Sequence, residues 1–202
     1  MPTGVIIAGG RSMRFGDRDK AVANLAGTPM IRRVANCFID SVDALVVNCR
    51  PDQVPMIRAA LKEYPREVTV AEDPEPDQGP MAGIRTGLQA VDSTYAFVAA
   101  CDMPFIDLGV VEHLFERAMG HDAAVPQLEN EWFQTTHAVY RAAPMAEACG
   151  KALAAGDHRI IDPLFELDYV VIDEEEIREH GTIETFENVN TQEEFETATK
   201  RF

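Results

Sequence analysis

Val5-Ile6-Ile7-Ala8-Gly9-Gly10-Arg11-Ser12-Met13-Arg14-Phe15-Gly16-Asp17-Arg18-Asp19-Lys20 runs from an apolar segment through a glycine turn into a cationic loop. Val5 to Ala8 reads as a short buried strand feeding that loop. Glycine lacks a Cβ, so Gly9 and Gly10 let backbone N–H groups come close to an anion. Arg14 and Lys20 add positive charge, with Arg11 and Arg18 nearby. A cationic turn at the carboxyl end of a parallel strand suits a triphosphate. Two commoner phosphate motifs are excluded on detail: Gly16 is followed by Asp17 where a P-loop needs Lys, and GxGxxG is absent.

Outward from this turn the first half alternates strand and helix. Strands are expected at 44–48, 68–71 and 95–101, and helices at 30–39, 54–64 and 82–91. The strands are short and apolar on both faces, the mark of a parallel sheet covered by helices on each side. The fold class predicted is α/β, a Rossmann-like three-layer sandwich with a mostly parallel sheet. The second half is less regular. A helix is expected at 108–119 and strands at 123–126, 135–140, 169–172 and 186–189. A flexible loop is expected at 150–159, and Thr191-Gln192-Glu193-Glu194 has the capping-box pattern that starts a helix. The 202 residues, 46% hydrophobic, suit one domain with a sizeable core.

The chain carries 34 Asp and Glu against 18 Lys and Arg, a net charge of -16. Such a surface repels nucleic acid and anionic membranes, so neither is an expected partner. It also suggests salt adaptation, beside the alternative of an ordinary acidic protein of the cytoplasm. No apolar run reaches the roughly 18 residues of a membrane span, and no signal peptide is read at the start; a cytoplasmic location is expected. Cys37, Cys49, Cys101 and Cys149 lack zinc or redox spacing and are expected as reduced thiols. His113, His121, His137, His158 and His180 show no ligand spacing. Trp132 and His158-Arg159 are read as packing or solvated groups, with ligand contacts as the other reading.

Further along stand Val46-Val47-Asn48, Glu72-Asp73, Gly79-Pro80-Met81-Ala82-Gly83-Ile84, Cys101-Asp102-Met103-Pro104 and Asn188-Val189-Asn190-Thr191. With Ile7-Ala8-Gly9-Gly10, Arg14-Phe15-Gly16 and Asp19-Lys20, they occur in the order and spacing of a known family. The chain resembles the molybdenum cofactor guanylyltransferases, within the wider group of Rossmann-like nucleotidyltransferases, and the resemblance runs over most of its length. Ile7 and Phe15 depart conservatively from the family's Leu and Met. Gln134-Thr135-Thr136-His137-Ala138 departs where relatives often show Gln-Pro-Leu.

The resemblance implies a fold of nucleotidyltransferase type, with a nucleotide-binding half at about 1–106 and an acceptor-binding half at about 107–202. It implies nucleotide binding by Ala8, Gly9, Gly10, Lys20, Asn48, Asp73, Gly83 and Asp102. Catalysis would rest on Lys20, Arg14 and Asp102. Asp102 would hold Mg²⁺, and Asn188 and Asn190 would lie on the acceptor side. The implied reaction moves GMP from GTP to the phosphate of molybdopterin or molybdenum cofactor, with molybdoenzymes or other cofactor-assembly proteins as further partners. The chemistry of Asp102 agrees independently. It ends an apolar run and should emerge where α/β sheets bind ligands, and Mg²⁺ commonly takes one or two protein carboxylates. Asp102 reads alternatively as a helix N-cap, Asp73 as part of an acidic loop, and Asn188 and Asn190 as turn or cap residues. Other acceptors, such as a cobinamide phosphate, or CTP in place of GTP, are alternatives. So is a non-catalytic nucleotide-binding module, though such a module would be expected to have lost Lys20 or Asp102.

Overall fold

The computed structural model describes residues 2–10, 19–75, 77–129, 131–157 and 159–202. In chain order these form β1 (Thr3–Ile7), a small hairpin of β2 (Asn24–Leu25) and β3 (Thr28–Pro29), α1 (Met30–Cys37), β4 (Ala44–Cys49), α2 (Val54–Ala60) and β5 (Glu67–Glu72). Then come α3 (Pro80–Gln89), β6 (Tyr95–Ala100), α4 (Leu108–Ala118), β7 (Ala123–Gln127), β8 (His137–Arg141), α5 (Ala142–Ala155), β9 (Tyr169–Asp173), α6 (Glu174–His180) and α7 (Gln192–Thr199).

Seven strands make one sheet in the order β5-β4-β1-β6-β8-β7-β9. Pairing is parallel except at β8, which runs antiparallel to both β6 and β7. The strand pleat sends alternate side chains to opposite faces. Ile6, Leu45, Val47 and Phe97 therefore pack on one side with Val34 of α1, Ile57 of α2, Leu114 of α4 and Ile177 of α6. Val5, Val46, Val98 and Tyr140 pack on the other with Ile84 and Leu88 of α3 and Met145 of α5. The expected three layers follow, because strands buried on both faces need helices on both. Each such aliphatic side chain taken fully out of water contributes about 1.5–3 kcal/mol.

Several local expectations are corrected. The loop expected at 150–159 is helical as far as Ala155, where α5 ends in the left-handed Gly156 (φ 83°). Small residues at consecutive turns let α5 lie against α3. The strand expected at 186–189 is absent: Ile183–Phe186 is a short 3-10 turn. Phe186 and Val189 are buried by packing instead. The helix expected at 54–64 stops at Ala60, and Tyr64 turns back to donate its hydroxyl to the Ala35 carbonyl at 2.9 Å. Asp102 does not cap α4. Asp107 does, accepting from the Gly109 N–H. The capping box at Thr191 and Glu194 forms as read. No helix among the described residues is long and apolar enough to cross a membrane.

Candidate functional site

The middle of the sheet sets the site. β1 lies between β4 and β6, and the register places Ile7 opposite both Asn48 and Ala100. Pairing continues one step past the strands. The Ala8 N–H donates to the Asn48 carbonyl (2.9 Å), Asp73 N–H to Cys49 (2.9 Å) and Cys101 N–H to Ile7 (3.1 Å). Gly9, Asp73 and Asp102 therefore follow the ends of β1, β5 and β6 at one rim, the carboxyl edge at which α/β sheets bind ligands. They border a cavity of about 640 Å³ that Lys20, Asn48 and Gly83 also line.

Lys20 is only 5% exposed. Its Nζ donates to Asp102 Oδ2 at 2.7 Å and to Asn190 Oδ1 at 2.9 Å. An ammonium has three donors, so two are fixed by these partners. The other Asp102 oxygen, Oδ1, is buried with no hydrogen-bond partner. An unsatisfied carboxylate oxygen at a cavity wall is costly in isolation and marks a place for a cation or donor. No cluster of three or more His, Cys, Asp or Glu suited to a metal exists among the described residues. The donor set thus fits an oxygen-loving cation held by one carboxylate, with water and phosphate completing its shell.

On the other side of Gly9, fully buried Asn48 donates through Nδ2 to Asp73 Oδ1 at 2.6 Å and to the Ala71 carbonyl at 3.2 Å. Asn48 Oδ1 is left without a partner. Burial raises the Asp73 pKa from its ordinary value, while the Asn48 hydrogen bond and the Arg50 charge oppose that rise. Two glycines make room for this pair. A Cβ on Gly9 would sit 2.5 Å from Asp73 Oδ2, and one on Gly83 would sit 2.5 Å from Asn48 Oδ1.

Three residues that the sequence reading did not promote brace the turn. Arg50 Nη1 donates to the carbonyls of Gly9 (2.9 Å) and Gly10 (3.1 Å). Its other nitrogens meet Asp52 and Asp19. Gln53 Nε2 donates to the Ala8 carbonyl (3.0 Å) and Asp19 Oδ2 (2.6 Å). Asp19 Oδ1 accepts from the Ala21 N–H and so caps the short 3-10 turn that carries Lys20. Both flanks of the glycine turn are therefore tied to the segment following β4. The signals were present: Asp19 abuts Lys20, and Arg50 follows the strand that ends near Asn48.

The cavity gathers most of the expected residues. Gly9, Gly10, Lys20, Asn48, Asp73, Gly83, Asp102 and Asn190 all line it. Ala8 does not: it is 2% exposed, with its N–H and carbonyl both engaged inside the protein. Asn188 also stays outside the cavity lining; its amide donates back to the Phe186 carbonyl at 3.3 Å. Arg14, with Arg11 and Arg18, lies outside the described residues, as does His158. His137 is a packed core residue. It sits edge-on to Phe97 and Phe186, and burial pushes its pKa down to about 3.

Comparison with known proteins identifies the family. Over 199 residues the chain is 55% identical to a probable molybdenum cofactor guanylyltransferase of Natronomonas pharaonis, covering 98% of this chain and 97% of that one. A probable molybdenum cofactor guanylyltransferase of Haloferax mediterranei is 40% identical, over 93% of this chain and 88% of the relative. The solved structure of molybdopterin-guanine dinucleotide biosynthesis protein A from Archaeoglobus fulgidus superposes with a TM-score of 0.80 at 25% identity, covering 98% of this chain and 97% of that chain. The model of the MobA-like NTP transferase domain matches residues 4–168. That span takes in the glycine turn, Lys20 and both acidic residues of the rim, and with it this chain belongs to the MobA-like NTP transferase family.

Proposed function

We propose that this chain transfers GMP from GTP to the phosphate of molybdopterin or molybdenum cofactor, releasing pyrophosphate and forming a guanine dinucleotide. The supporting observation is that Lys20, Asp102 and the glycine turn share one cavity, in a chain alike over nearly its whole length to relatives of that name.

In this reading an oxygen of the acceptor phosphate attacks the α-phosphorus of GTP. A new P–O bond forms as the bond between the α-phosphorus and the bridging oxygen breaks, and the electron pair leaves with pyrophosphate. Both reactants are anions, so the protein's work is positioning and charge neutralisation rather than covalent catalysis. Lys20 supplies a buried ammonium already oriented by Asp102 and Asn190. Gly9 and Gly10 border the same cavity, and Arg50 braces their carbonyls. Asn48 and Asp73 face the nucleoside end, Asn48 fixing the carboxylate of Asp73. Mg²⁺, held by Asp102, phosphate oxygens and water, would offset charge on the triphosphate. Asn190 and the acceptor-side half then meet the phosphorylated acceptor.

The test is to incubate the protein with Mg²⁺, each labelled NTP in turn, and either molybdopterin or cobinamide phosphate, and to measure pyrophosphate. Release with GTP and molybdopterin alone supports the reading. A preference for CTP, or for cobinamide phosphate, moves the activity to another acceptor or nucleotide, and no release with any pair refutes it.

A further inference from the structure

Among the described residues, the last quarter of the chain contributes one polar side chain to the cavity, Asn190. Its backbone is held from both flanks. On one flank the Val189 N–H donates to the Asp102 carbonyl at 2.9 Å, with Val189 buried against Leu25, Met30 and Ala198. On the other flank stands Glu194 in the first turn of α7. A capping box needs this carboxylate only for the N–H of the cap residue. Here Glu194 Oε2 accepts that bond from Thr191 at 2.9 Å and a shorter one from the Asn190 N–H at 2.6 Å. The additional bond therefore goes to the residue whose side chain holds Lys20 Nζ. These two N–H bonds lower the Glu194 pKa from its ordinary value.

We propose that Glu194 is a positioning residue for Lys20: by fixing the Asn190 backbone it sets Asn190 Oδ1 against the ammonium and so aims the remaining Lys20 donor. The chain of contacts is Glu194 to Asn190 N–H, Asn190 Oδ1 to Lys20 Nζ, and Lys20 to Asp102. Glu194 touches none of the reacting atoms. A cap alone would serve only α7, and Thr191, whose hydroxyl accepts from the Glu194 N–H at 3.2 Å, shares that role without holding Asn190.

Two measurements separate positioning from capping, using Glu194→Ala, Glu194→Gln, Thr191→Ala and Asn190→Ala in the full chain. The first needs no substrate. Lys20 acylation by an amine-reactive acetyl ester is followed by peptide mass spectrometry. Because positioning is sensitive to displacements of an ångström, Asn190→Ala and Glu194→Ala should raise the Lys20 rate about ten-fold. Thr191→Ala and Glu194→Gln, which keeps an acceptor oxygen, should stay within about three-fold of the parent. The second rests on the proposed function. In pyrophosphate release, Glu194→Ala should lower kcat about ten-fold, and the Asn190→Ala/Glu194→Ala double variant should be no slower than Asn190→Ala alone. Unchanged Lys20 labelling in Glu194→Ala or Asn190→Ala overturns the proposal. So does an equal effect of Thr191→Ala, or additive losses in the double variant. If the parent releases no pyrophosphate, it is the proposed reaction that fails, while the labelling result still decides the role of Glu194.

Discussion

Replacing Gly83 by alanine tests the inner wall of the site with one carbon atom. Gly83 lies within α3, where alanine normally gains about 1 kcal/mol over glycine. The new Cβ would stand 2.5 Å from Asn48 Oδ1 and 3.1 Å from Ile7 Cγ2. The first of these neighbours cannot yield freely. Asn48 is fully buried, and its amide is committed to Asp73 and to the Ala71 carbonyl. Overpacking of this kind costs about 1–3 kcal/mol, so the helix gain is cancelled or exceeded and net stability falls by about 0–2 kcal/mol. The larger effect should be on binding. Pushing Asn48 aside breaks a hydrogen bond to a carboxylate, worth about 1.5–3 kcal/mol, and GTP affinity should drop about ten- to a hundred-fold. Gly150→Ala in α5 is the control. There the nearest atom is Arg85 Nε at 3.4 Å, on a movable side chain, and a gain of up to about 1 kcal/mol is expected. Urea unfolding and calorimetric titration with GTP measure both quantities. A Gly83→Ala protein stabilised as much as Gly150→Ala, and binding GTP like the parent, would refute the reasoning.

Lys20→Ala and Asp102→Ala should each lower kcat by about 10²–10³, the loss seen when one preorganised group is removed, with far-ultraviolet circular dichroism unchanged. Near-parental turnover in either variant removes that residue from the mechanism. Arg50→Ala frees the Gly9 and Gly10 carbonyls and should raise KM for GTP about ten-fold through a looser turn; an unaltered KM would show that the brace is dispensable. His137 bears on acid stability, since its folded pKa of about 3 lies below the ordinary 6.5. Below pH 6.5 the unfolded chain binds a proton that the native chain refuses, so stability should fall by about 1.4 kcal/mol per pH unit as pH drops from 6.5 toward 3. Relative to the parent, His137→Phe should lose that component of the slope, and parallel stability curves for the two proteins would rule it out. The net charge of -16 should make the melting temperature climb with KCl as self-repulsion is screened, and a melting temperature indifferent to molar KCl would end the case for salt adaptation.

Much of this architecture could be read from local pattern. Val5–Ala8 and Tyr95–Cys101 are apolar runs that stop at a glycine or an acid, and such runs belong in the middle of a parallel sheet whatever surrounds them. The Thr191 box announced a helix start through a cap that acts within one turn. Other features depend on partners that a local reading does not contain. α5 holds Pro144 and Gly150 among alanines, a weak helical signal, and it is settled by packing on α3. Phe186 and Val189 have strand-like composition, yet their burial comes from neighbours rather than from ladder bonds. At the site, residue types were legible and contacts were not. Lys20 finds Asp102 across 82 positions and Asn190 across 170. Arg50 and Gln53 looked like loop residues until the fold laid them behind the glycine turn.

The reach from Lys20 to Asn190 bears on how the protein is made. A ribosome delivers the glycine turn, β4 and β6 early, within the first 100 residues. The ammonium nevertheless lacks its second anchor until α7 has emerged and folded back. Nascent chains halted before that point should hold a formed sheet and an unfinished site, so competence waits for Asn190 and the helix behind it.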